Sequence, residues 1–491
     1  MRAKMAPQLT PVVRTFLDSR PGFLLGEETG VRAASGAVLP VLDPSYGTPL
    51  AEVPAAGPED VDRAVRLAGA AFADGRWRAR PHPERAAVLH RIADLLQANA
   101  EHFGQLESLD AGIPYATARH LAHGAAETFR HYAGWTGRLY GDVNPTAPDV
   151  HSYTLRQPVG VVAAIVPWNM PLLMAAFKLA PALAAGNSVV LKPAEQTPLS
   201  ALLLARLALE AGLPPGVLAV LTGDGTAGAA LVDHPGADLV AFTGSTETGR
   251  AIQRAAATGV KRVLLELGGK SPNIVFPDAD LDAAVAAAGA TAWQHSGQIC
   301  FAGTRLLVHR SVHDEVVERV RADAAKLTVG PAFDEGTDLG PLISAAQLRR
   351  VSGYLDLARE AGLDPAGRVL DRPGHYVTPT VLTGVDPHSR LAQEEIFGPV
   401  LSVFAFDTDE EALRLANGTA YGLAAGVWTR DLSRAHAFAR DLRAGTVWVN
   451  TYGLHDFSAP SGGAGQSGLG REHGREWIHA YTEPKAVHVQ L

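Results

Sequence analysis

The chain has 491 residues, too many for one ordinary hydrophobic core, so its length predicts two or three domains. Its 47% hydrophobic and 19% charged residues are typical of a globular protein, and a net charge of -8 argues against nucleic-acid partners and anionic membranes. A single cysteine excludes an internal disulfide and favours a reducing, cytoplasmic location.

Helical and strand patterns alternate along the first half of the chain. Amphipathic stretches predict helices at Pro58–Ala71, Pro83–Leu106, Pro198–Ala211, Asp280–Gln294 and Val312–Leu327. Short apolar runs predict strands at Val159–Val166, Ser188–Leu191, Val217–Leu221, Leu239–Thr243, Arg262–Leu267 and Ser271–Val275. This alternation predicts an α/β fold with mostly parallel sheets, whose ligands bind at the carboxyl ends of the strands.

A second series of strands indicates a second α/β domain that begins near Gly268. These strands are predicted at Thr304–Val308, Val400–Phe406, Gly426–Thr429 and Thr446–Val449. The polar stretch between Tyr140 and Pro158 predicts a projecting hairpin. The alternating C-terminal run Lys485–Leu491 is expected to pair with that hairpin or with another subunit. The longest charge-free run, Gln157–Phe177, is interrupted by three prolines, so we expect no transmembrane segment.

The loop Pro167–Pro171 could hold a side-chain amide rigidly. Its Asn169 would then be a fixed N–H donor of the kind that an oxyanion hole requires. The alternative is that Asn169 caps the helix that starts at Pro171.

Two loops after predicted strands could bind a nucleotide. Lys192 and Glu195 could both bond to the hydroxyls of a ribose, although a solvated loop is the alternative. The turn Phe242–Arg250 joins a strand to a helix, where glycine allows a close approach to a phosphate. It lacks the middle glycine of the usual dinucleotide-binding motif, so a plain helix cap is also open.

Glu266 and Cys300 could carry the chemistry. A carboxylate inside the apolar run Arg262–Leu267 needs a raised pKa or a partner, which suits a general base, unless it faces water at a sheet edge. Cys300 is either buried filler or a nucleophile. A thiol, a base, an amide donor and a nucleotide turn together describe one reaction. A thiolate attacks a carbonyl, hydride leaves to a nicotinamide, and water cleaves the thioester.

The motifs resemble those of the aldehyde dehydrogenase superfamily of the NAD(P)-dependent, hydrolytic type. They follow the order of that family and cover nearly the whole chain. The matching segments are Pro167–Asn169, Lys192–Glu195, Phe242–Thr246, Leu265–Lys270, Gly297–Cys300, Glu394–Pro399 and Gly470–Glu472.

The resemblance implies a role for each matching residue. Cys300 would be the nucleophile, Glu266 the base for deacylation, and Asn169 an oxyanion donor together with the backbone N–H of Cys300. Lys178 occupies the position of a lysine near a proposed proton path in the family. The implied cofactor-binding residues are Ile165, Pro167, Trp168, Lys192, Glu195, Gly225, Phe242, Gly244, Ser245, Leu267, Glu395 and Phe397.

The resemblance also implies three structural parts and an oligomer. A Rossmann-type NAD domain would comprise residues 1–135 and 159–267, and a catalytic domain residues 268–466. A small β element of residues 136–158 and 482–491 would join subunits into a homodimer or homotetramer. No metal is implied.

Several residues depart from the pattern common in the family. Ser461 replaces a phenylalanine that helps to wall the substrate tunnel in many relatives, and Met170 and Phe177 stand where Phe and Trp are frequent. We therefore expect a bulky or aromatic aldehyde as the small-molecule substrate. The implied pocket residues are Met170, Met174, Phe177, Phe301, His455 and Ser461.

Glu195 would accept bonds from a free 2′-hydroxyl and repel a 2′-phosphate, so NAD is favoured, although Lys192 could tolerate NADP. Among other functions, a CoA-acylating semialdehyde dehydrogenase would need no base, which Glu266 argues against. A non-catalytic NAD-binding relative would not need Cys300, Glu266 and Asn169 intact. A cysteine hydrolase would lack an evident Cys–His pair and leave the nucleotide motifs unexplained.

Overall fold

The computed structural model describes residues 8–491, so residues 1–7 of the predicted NAD domain lie outside the described part. The helices are α1 (Pro11–Asp18), α2 (Pro58–Ala73), α3 (His82–Ala98), α4 (Ala100–Asp110), α5 (Tyr115–Ala133), α6 (Pro171–Ala185), α7 (Leu199–Glu210), α8 (Gly225–Asp233), α9 (Thr246–Thr258), α10 (Leu281–Trp293), α11 (His313–Lys326), α12 (Ala345–Glu360), α13 (Arg390–Gln393), α14 (Asp409–Ala416), α15 (Leu432–Asp441) and α16 (Trp477–Tyr481).

The strands follow the same chain order. They are β1 (Phe23–Leu25), β2 (Glu28–Val31), β3 (Val38–Asp43), β4 (Thr48–Pro54), β5 (Val143–Asn144), β6 (Val150–Pro158), β7 (Val161–Ile165), β8 (Ser188–Lys192), β9 (Leu218–Val220), β10 (Leu239–Thr243), β11 (Arg262–Glu266), β12 (Pro272–Val275), β13 (Arg305–His309), β14 (Thr380–Leu382), β15 (Val400–Phe406), β16 (Ala424–Trp428), β17 (Thr446–Val449), β18 (Pro460–Ser461), β19 (Gly468–Leu469), β20 (Glu472–His473) and β21 (Thr482–Gln490).

The first sheet has the strand order β19-β11-β10-β7-β8-β9-β1-β2. Its five strands from β11 to β9 are parallel, and β19, β1 and β2 extend it at the two edges by antiparallel pairing. Every residue of β7, β8 and β10 is buried, as expected for parallel strands that are covered on both faces. One hydrophobic core contains residues of α3 to α7 and the other contains residues of α2, α8 and α9. This part is therefore a doubly wound α/β sheet.

The second sheet is entirely parallel, with the order β14-β15-β13-β12-β16-β17. Residues of α10 and α11 form one of its hydrophobic cores, and residues of α12, α14 and α15 form the other. The short connection Leu267–Ser271 joins β11 of the first sheet to β12 of the second. The predicted α/β class with parallel sheets is thus confirmed, and the boundary between the sheets lies at Gly268 and Gly269.

The predicted hairpin forms a separate three-stranded sheet in the order β21-β6-β5. The C-terminal strand β21 pairs antiparallel with β6 over nine residues, from Thr482 opposite Pro158 to Gln490 opposite Val150. The expected pairing between the C-terminal run and the hairpin is confirmed within one chain.

The prediction of one helix over Pro83–Leu106 is wrong. The chain breaks at Asn99 between α3 and α4, where φ is -102° and ψ is 16°. The side chain of Asn99 donates to the carbonyl of Leu95 at 2.8 Å, which satisfies a group that the end of α3 leaves unpaired. Asparagine therefore ends α3 although the helical pattern continues through it.

Residues 467–481 were assigned to no predicted part. Within them, β19 lies at the edge of the first sheet and α16 packs into its core, with Trp477 fully buried. In residues 8–491, none of the helices is both long enough and apolar enough to cross a membrane.

Val260 is predicted to destabilise the turn between α9 and β11. This β-branched residue has a φ of 53° and is 92% exposed, so little packing offsets its unfavourable backbone conformation. Val260→Gly should raise the free energy of unfolding by roughly 1 kcal/mol, measured as an increased melting temperature. Val38→Gly, at a half-exposed position in β3, is the control and should lower it. A similar decrease in both variants would contradict the prediction.

Candidate active site

The carboxyl ends of five parallel strands lie at one edge of the first sheet. Because strand order reverses between β10 and β7, the loops after these strands diverge and leave a crevice, the usual ligand site of such sheets. The structure brings to this edge the predicted residues Pro167, Trp168, Lys192, Gly225, Gly244 and Leu267. Ile165 and Phe242 are neighbours in register on β7 and β10, and both side chains are buried in the core below the crevice.

Lys192 and Glu195 lie together at the end of β8. The Lys192 Nζ donates to the carbonyl of Pro193 at 2.9 Å and is 3.9 Å from the Glu195 carboxylate. Lys192 is buried, whereas the Glu195 side chain is 40% exposed. Burial lowers the pKa of Lys192, and the charges of Glu195 and Asp224 oppose that effect. An ammonium and a carboxylate that share one opening can bind two neighbouring hydroxyls.

The turn after β10 has the features of an anion site. Ser245 is the N-cap of α9, and its hydroxyl accepts the backbone N–H of Thr248 at 3.2 Å. The Thr243 hydroxyl at the end of β10 is buried and, among the described residues, has no hydrogen-bond partner. The unpaired N–H groups of a helix start favour phosphate. This edge therefore fits a dinucleotide, with a phosphate at α9 and a ribose at Lys192 and Glu195.

Cys300 lies in an irregular segment between α10 and β13. The preceding residues His295, Ser296 and Gly297 all have positive φ, at 48°, 55° and 75°. The side chain of Gln298 stabilises this turn, since its amide donates to the carbonyl of His295 at 3.1 Å and its oxygen accepts Ile343 N–H at 3.0 Å. The candidate nucleophile is therefore half-buried in a loop whose backbone conformation is unfavourable but is stabilised by the hydrogen bonds of Gln298.

The connection between the two sheets passes directly beside this loop. A Cβ atom at Gly269 would lie 2.6 Å from the carbonyl oxygen of Cys300, a distance that no side chain tolerates. Glycine at position 269 therefore allows the chain after Glu266 to approach the chain at Cys300.

The Asn169 amide faces the same loop. Its Nδ2 donates to the carbonyl of Gln298 at 2.8 Å, and the side chain is buried. The N-cap of α6 is Met170, without a side-chain bond, so the alternative role of Asn169 as a helix cap is wrong. The amide is thus buried and bonded to a residue two positions before Cys300 in the chain, which suits a donor of an oxyanion hole.

Glu266 ends β11 with a buried carboxyl group. Burial raises its pKa well above the usual value, as does the charge of Glu472, while Lys178 and Arg471 oppose them. Its Oε1 accepts no hydrogen bond from the described residues, and a Cβ at Gly462 would lie 2.4 Å from that oxygen. β11 has β10 and β19 on its two sides, so the alternative of an edge carboxylate facing water is wrong.

Lys178 forms a buried ion pair with Glu472. The Lys178 Nζ donates to Glu472 Oε1 at 2.6 Å, and the two side chains are 0% and 6% exposed. The sequence motif Gly470–Glu472 had given Glu472 no role. Its position in β20, far along the chain from Lys178, explains why only the fold could reveal the pair.

The surroundings of the Cys300 sulfur favour the thiol over the thiolate. Burial raises its pKa to about 12, with further contributions from the charges of Glu395 and Glu266. The thiolate expected from the sequence therefore requires a base or a nearby positive charge before it can act.

Glu395 and Phe397 also reach this junction. Glu395 accepts the backbone N–H of Gly269 at 3.0 Å, and burial raises the pKa of its carboxyl group to about 7. Phe397 has a φ of 60° and packs edge-on against Trp168, with ring centroids 5.3 Å apart.

The predicted pocket residues lie in two neighbouring groups. Met170 is buried with Ile299 and Ala302, and Met174 and Phe301 pack against them beside Cys300. Further along α6, Phe177 stacks on His455, with ring centroids 5.4 Å apart.

Two aromatic neighbours of this pocket were missed. The ring of His473 packs edge-on against Phe177, with ring centroids 4.5 Å apart. The ring of Phe457 packs edge-on against His455, with ring centroids 4.8 Å apart. Ser461 pairs with Glu472 between β18 and β20, next to His473. The glycine-rich sequence around these residues gave no helical or strand period from which their neighbours could be inferred.

Comparisons with known proteins agree with this geometry. The model of the aldehyde dehydrogenase family matches residues 31–487. The benzaldehyde dehydrogenase of Antirrhinum majus is 45% identical over 94% of this chain and 87% of its own. The NAD+ complex of an aldehyde dehydrogenase from Bacillus cereus superposes with a TM-score of 0.98 at 43% identity, covering 99% and 100% of the two chains. An indole-3-acetaldehyde dehydrogenase mutant from P. syringae, in complex with NAD+ and IAA, superposes with a TM-score of 0.94 at 44% identity, and the match covers 97% of each chain.

Removal of Lys178 should destabilise the protein strongly, because it leaves the buried charge of Glu472 unpaired. Lys178→Met is expected to lower the free energy of unfolding by about 3–5 kcal/mol. Adding Glu472→Gln should recover much of this loss. The control is Lys326→Met, which removes an exposed ion pair with Asp323 and should change stability by about 1 kcal/mol or less. Equal melting temperatures for the two single variants would disprove the importance of burial.

Proposed function

The chain belongs to the aldehyde dehydrogenase family, and we propose that it oxidises an aldehyde to a carboxylic acid through a thioester on Cys300, with NAD as hydride acceptor. The observation that supports this most directly is that the Cys300 loop is approached from two sides. Gly269, in the chain that carries Glu266, lies against the carbonyl of Cys300, and the Asn169 amide bonds to the carbonyl of Gln298. Few other reactions use a nucleophile, an oxyanion donor and a base beside a nucleotide-binding edge.

The first step forms a covalent bond between the Cys300 sulfur and the aldehyde carbon. The thiol passes its proton to the carboxylate of Glu266 as the S–C bond forms, and the carbonyl oxygen gains negative charge. Glu266 releases this proton to solvent before the second step. The Asn169 Nδ2 and the backbone N–H of Cys300 donate to that oxygen. NAD, when bound, supplies the acceptor for the hydride that leaves this carbon.

The second step hydrolyses the thioester. The ionised Glu266 takes a proton from water as the oxygen attacks the thioester carbon, and the sulfur departs as the product acid is released. A carboxylate whose pKa is raised by burial is a stronger base than an exposed one, and the positive charges of Lys178 and Arg471 oppose that rise. Water, rather than CoA, is therefore the proposed acceptor of the acyl group.

The proposed substrate is a bulky or aromatic aldehyde. Ser461 leaves more space than a phenylalanine would, while Phe177, Phe301 and Phe457 supply aromatic surface. The benzaldehyde and indole-3-acetaldehyde dehydrogenases named above support the same class.

The proposed cofactor preference is NAD over NADP, because the exposed carboxylate of Glu195 would repel a 2′-phosphate. We also propose a cytoplasmic homodimer or homotetramer. Strand β21 is the edge of its sheet, and exposed apolar residues nearby, such as Val143 and Val489, would be covered by a second copy. The three-part division predicted above would place this sheet as the oligomerisation element.

Glu266→Gln should stop turnover after the acyl-enzyme forms. We expect one equivalent of NADH per active site, followed by a steady-state rate reduced by about 10²–10⁴-fold. Cys300→Ala should produce no NADH, and Glu360→Gln, at an exposed position of α12, is the matched control. Unimpaired turnover of Glu266→Gln without CoA would remove its role as base, and activity of Cys300→Ala would refute the mechanism.

A panel of acetaldehyde, hexanal and benzaldehyde should reveal the substrate class. We expect kcat/KM for benzaldehyde to exceed that for acetaldehyde by roughly 10-fold or more, because the pocket buries a ring. Ser461→Phe should reduce this ratio, whereas Ser433→Phe, on the exposed face of α15, should leave it unchanged. A preference of the unaltered protein for acetaldehyde would contradict the assignment.

A further inference from the structure

Two acidic residues of α4 are completely buried outside the site described above. Glu107 and Asp110 are each 0% exposed and lie three residues apart, on one face of the helix. Neither takes part in an ion pair with any residue in the described range 8–491. Buried acids without a cation need another source of stabilisation.

Backbone and hydroxyl donors of two other helices supply it. Glu107 Oε1 accepts the backbone N–H of Leu172 at 2.5 Å, in the first turn of α6, and the hydroxyl of Ser200 at 3.2 Å. Asp110 Oδ2 accepts the backbone N–H of Leu199 at 3.4 Å, at the first residue of α7. The positive ends of two helices therefore meet one pair of carboxyl groups.

Neither helix has a cap of its own. The N-cap residues are Met170 for α6 and Pro198 for α7, and neither forms a side-chain capping bond. First-turn N–H groups have no partner within their own helix. The α4 carboxyl groups thus act as the caps of α6 and α7 from a distant part of the chain.

These two helix starts adjoin the active-site residues. Asn169 lies three residues before Leu172, and Glu195 lies four residues before Leu199. A shift of either helix start would move one of these side chains, and a misplacement of about 1 Å at a reacting group can cost about 10²-fold in rate.

The two carboxyl groups are not independent. Glu107 Oε2 and Asp110 Oδ1 have no partner among the described residues. Burial raises the pKa of Glu107 to about 7 and raises that of Asp110 well above its usual range, where the charge of Glu107 adds to the effect. A negative charge on Glu107 therefore disfavours the ionisation of Asp110.

We propose that Glu107 is a positioning residue for the Asn169 amide and that Asp110 is a positioning residue for the Lys192–Glu195 segment. This inference rests on the proposed function, because it assigns the two acids to different steps of that reaction. Glu107 acts on acylation, and Asp110 acts on cofactor binding.

The test compares apolar and amide substitutions at both positions in the full chain. Single-turnover NADH formation with excess enzyme measures acylation, and NADH fluorescence titration measures cofactor affinity. Thermal unfolding followed by circular dichroism gives the folded fraction of each variant, so that rates are expressed per intact site.

Glu107→Leu should slow single-turnover acylation by about 30-fold or more while cofactor affinity stays within about 3-fold. Asp110→Leu should weaken cofactor affinity by about 30-fold or more while the single-turnover acylation rate stays within about 3-fold. Glu107→Gln and Asp110→Asn keep an acceptor oxygen for the helix N–H and should stay within about 3-fold of the unaltered protein in both measurements. Glu101→Leu, at an exposed position of α4, is the control for loss of an acid from this helix.

Equal acylation rates per intact site in Glu107→Leu and the unaltered protein would overturn the proposal, as would equal losses in both measurements for both leucine variants. An unaltered protein that forms no NADH from any aldehyde would instead refute the proposed function. If a leucine variant does not fold, failure of its amide counterpart to retain activity would overturn the capping argument.

Discussion

The active site depends on one close approach, between Gly269 and the carbonyl of Cys300. Gly269 belongs to the connection between the two sheets, and Cys300 belongs to the loop before β13. A side chain at position 269 would push the connection that follows Glu266 away from the Cys300 loop. Glu395 strengthens the junction through its bond to the Gly269 N–H.

Burial at this junction sets the protonation states of its groups. It raises the pKa of Cys300, Glu266 and Glu395, because each charged form loses hydration. The charges of Glu395 and Glu266 add to the shift at Cys300. The buried Lys178–Glu472 pair adds one charge of each sign beside Glu266. Raised pKa values of the thiol and of the two carboxyl groups suit a reaction in which each group must gain and lose a proton in turn.

The buried acids of α4 show the same dependence on packing away from the reacting atoms. The bonds from Leu172 to Glu107 and from Leu199 to Asp110 link α4 to the starts of α6 and α7, which follow Asn169 and Glu195 in the chain. Such a link needs three helices in contact, and no local pattern in α4 indicates it.

The sequence by itself determined the alternation of strands and helices, and hence the α/β class, because hydrophobic period and chain order are local properties. Its motifs also indicated Cys300, Glu266 and Asn169, because nucleophile, base and amide each need a particular residue type in a recognisable loop. Only the tertiary structure decided that Asn169 faces the Cys300 loop rather than capping α6, that Glu472 pairs with Lys178, and that burial raises the pKa of Cys300. These facts depend on distances and desolvation between segments far apart in the chain, which no local pattern encodes.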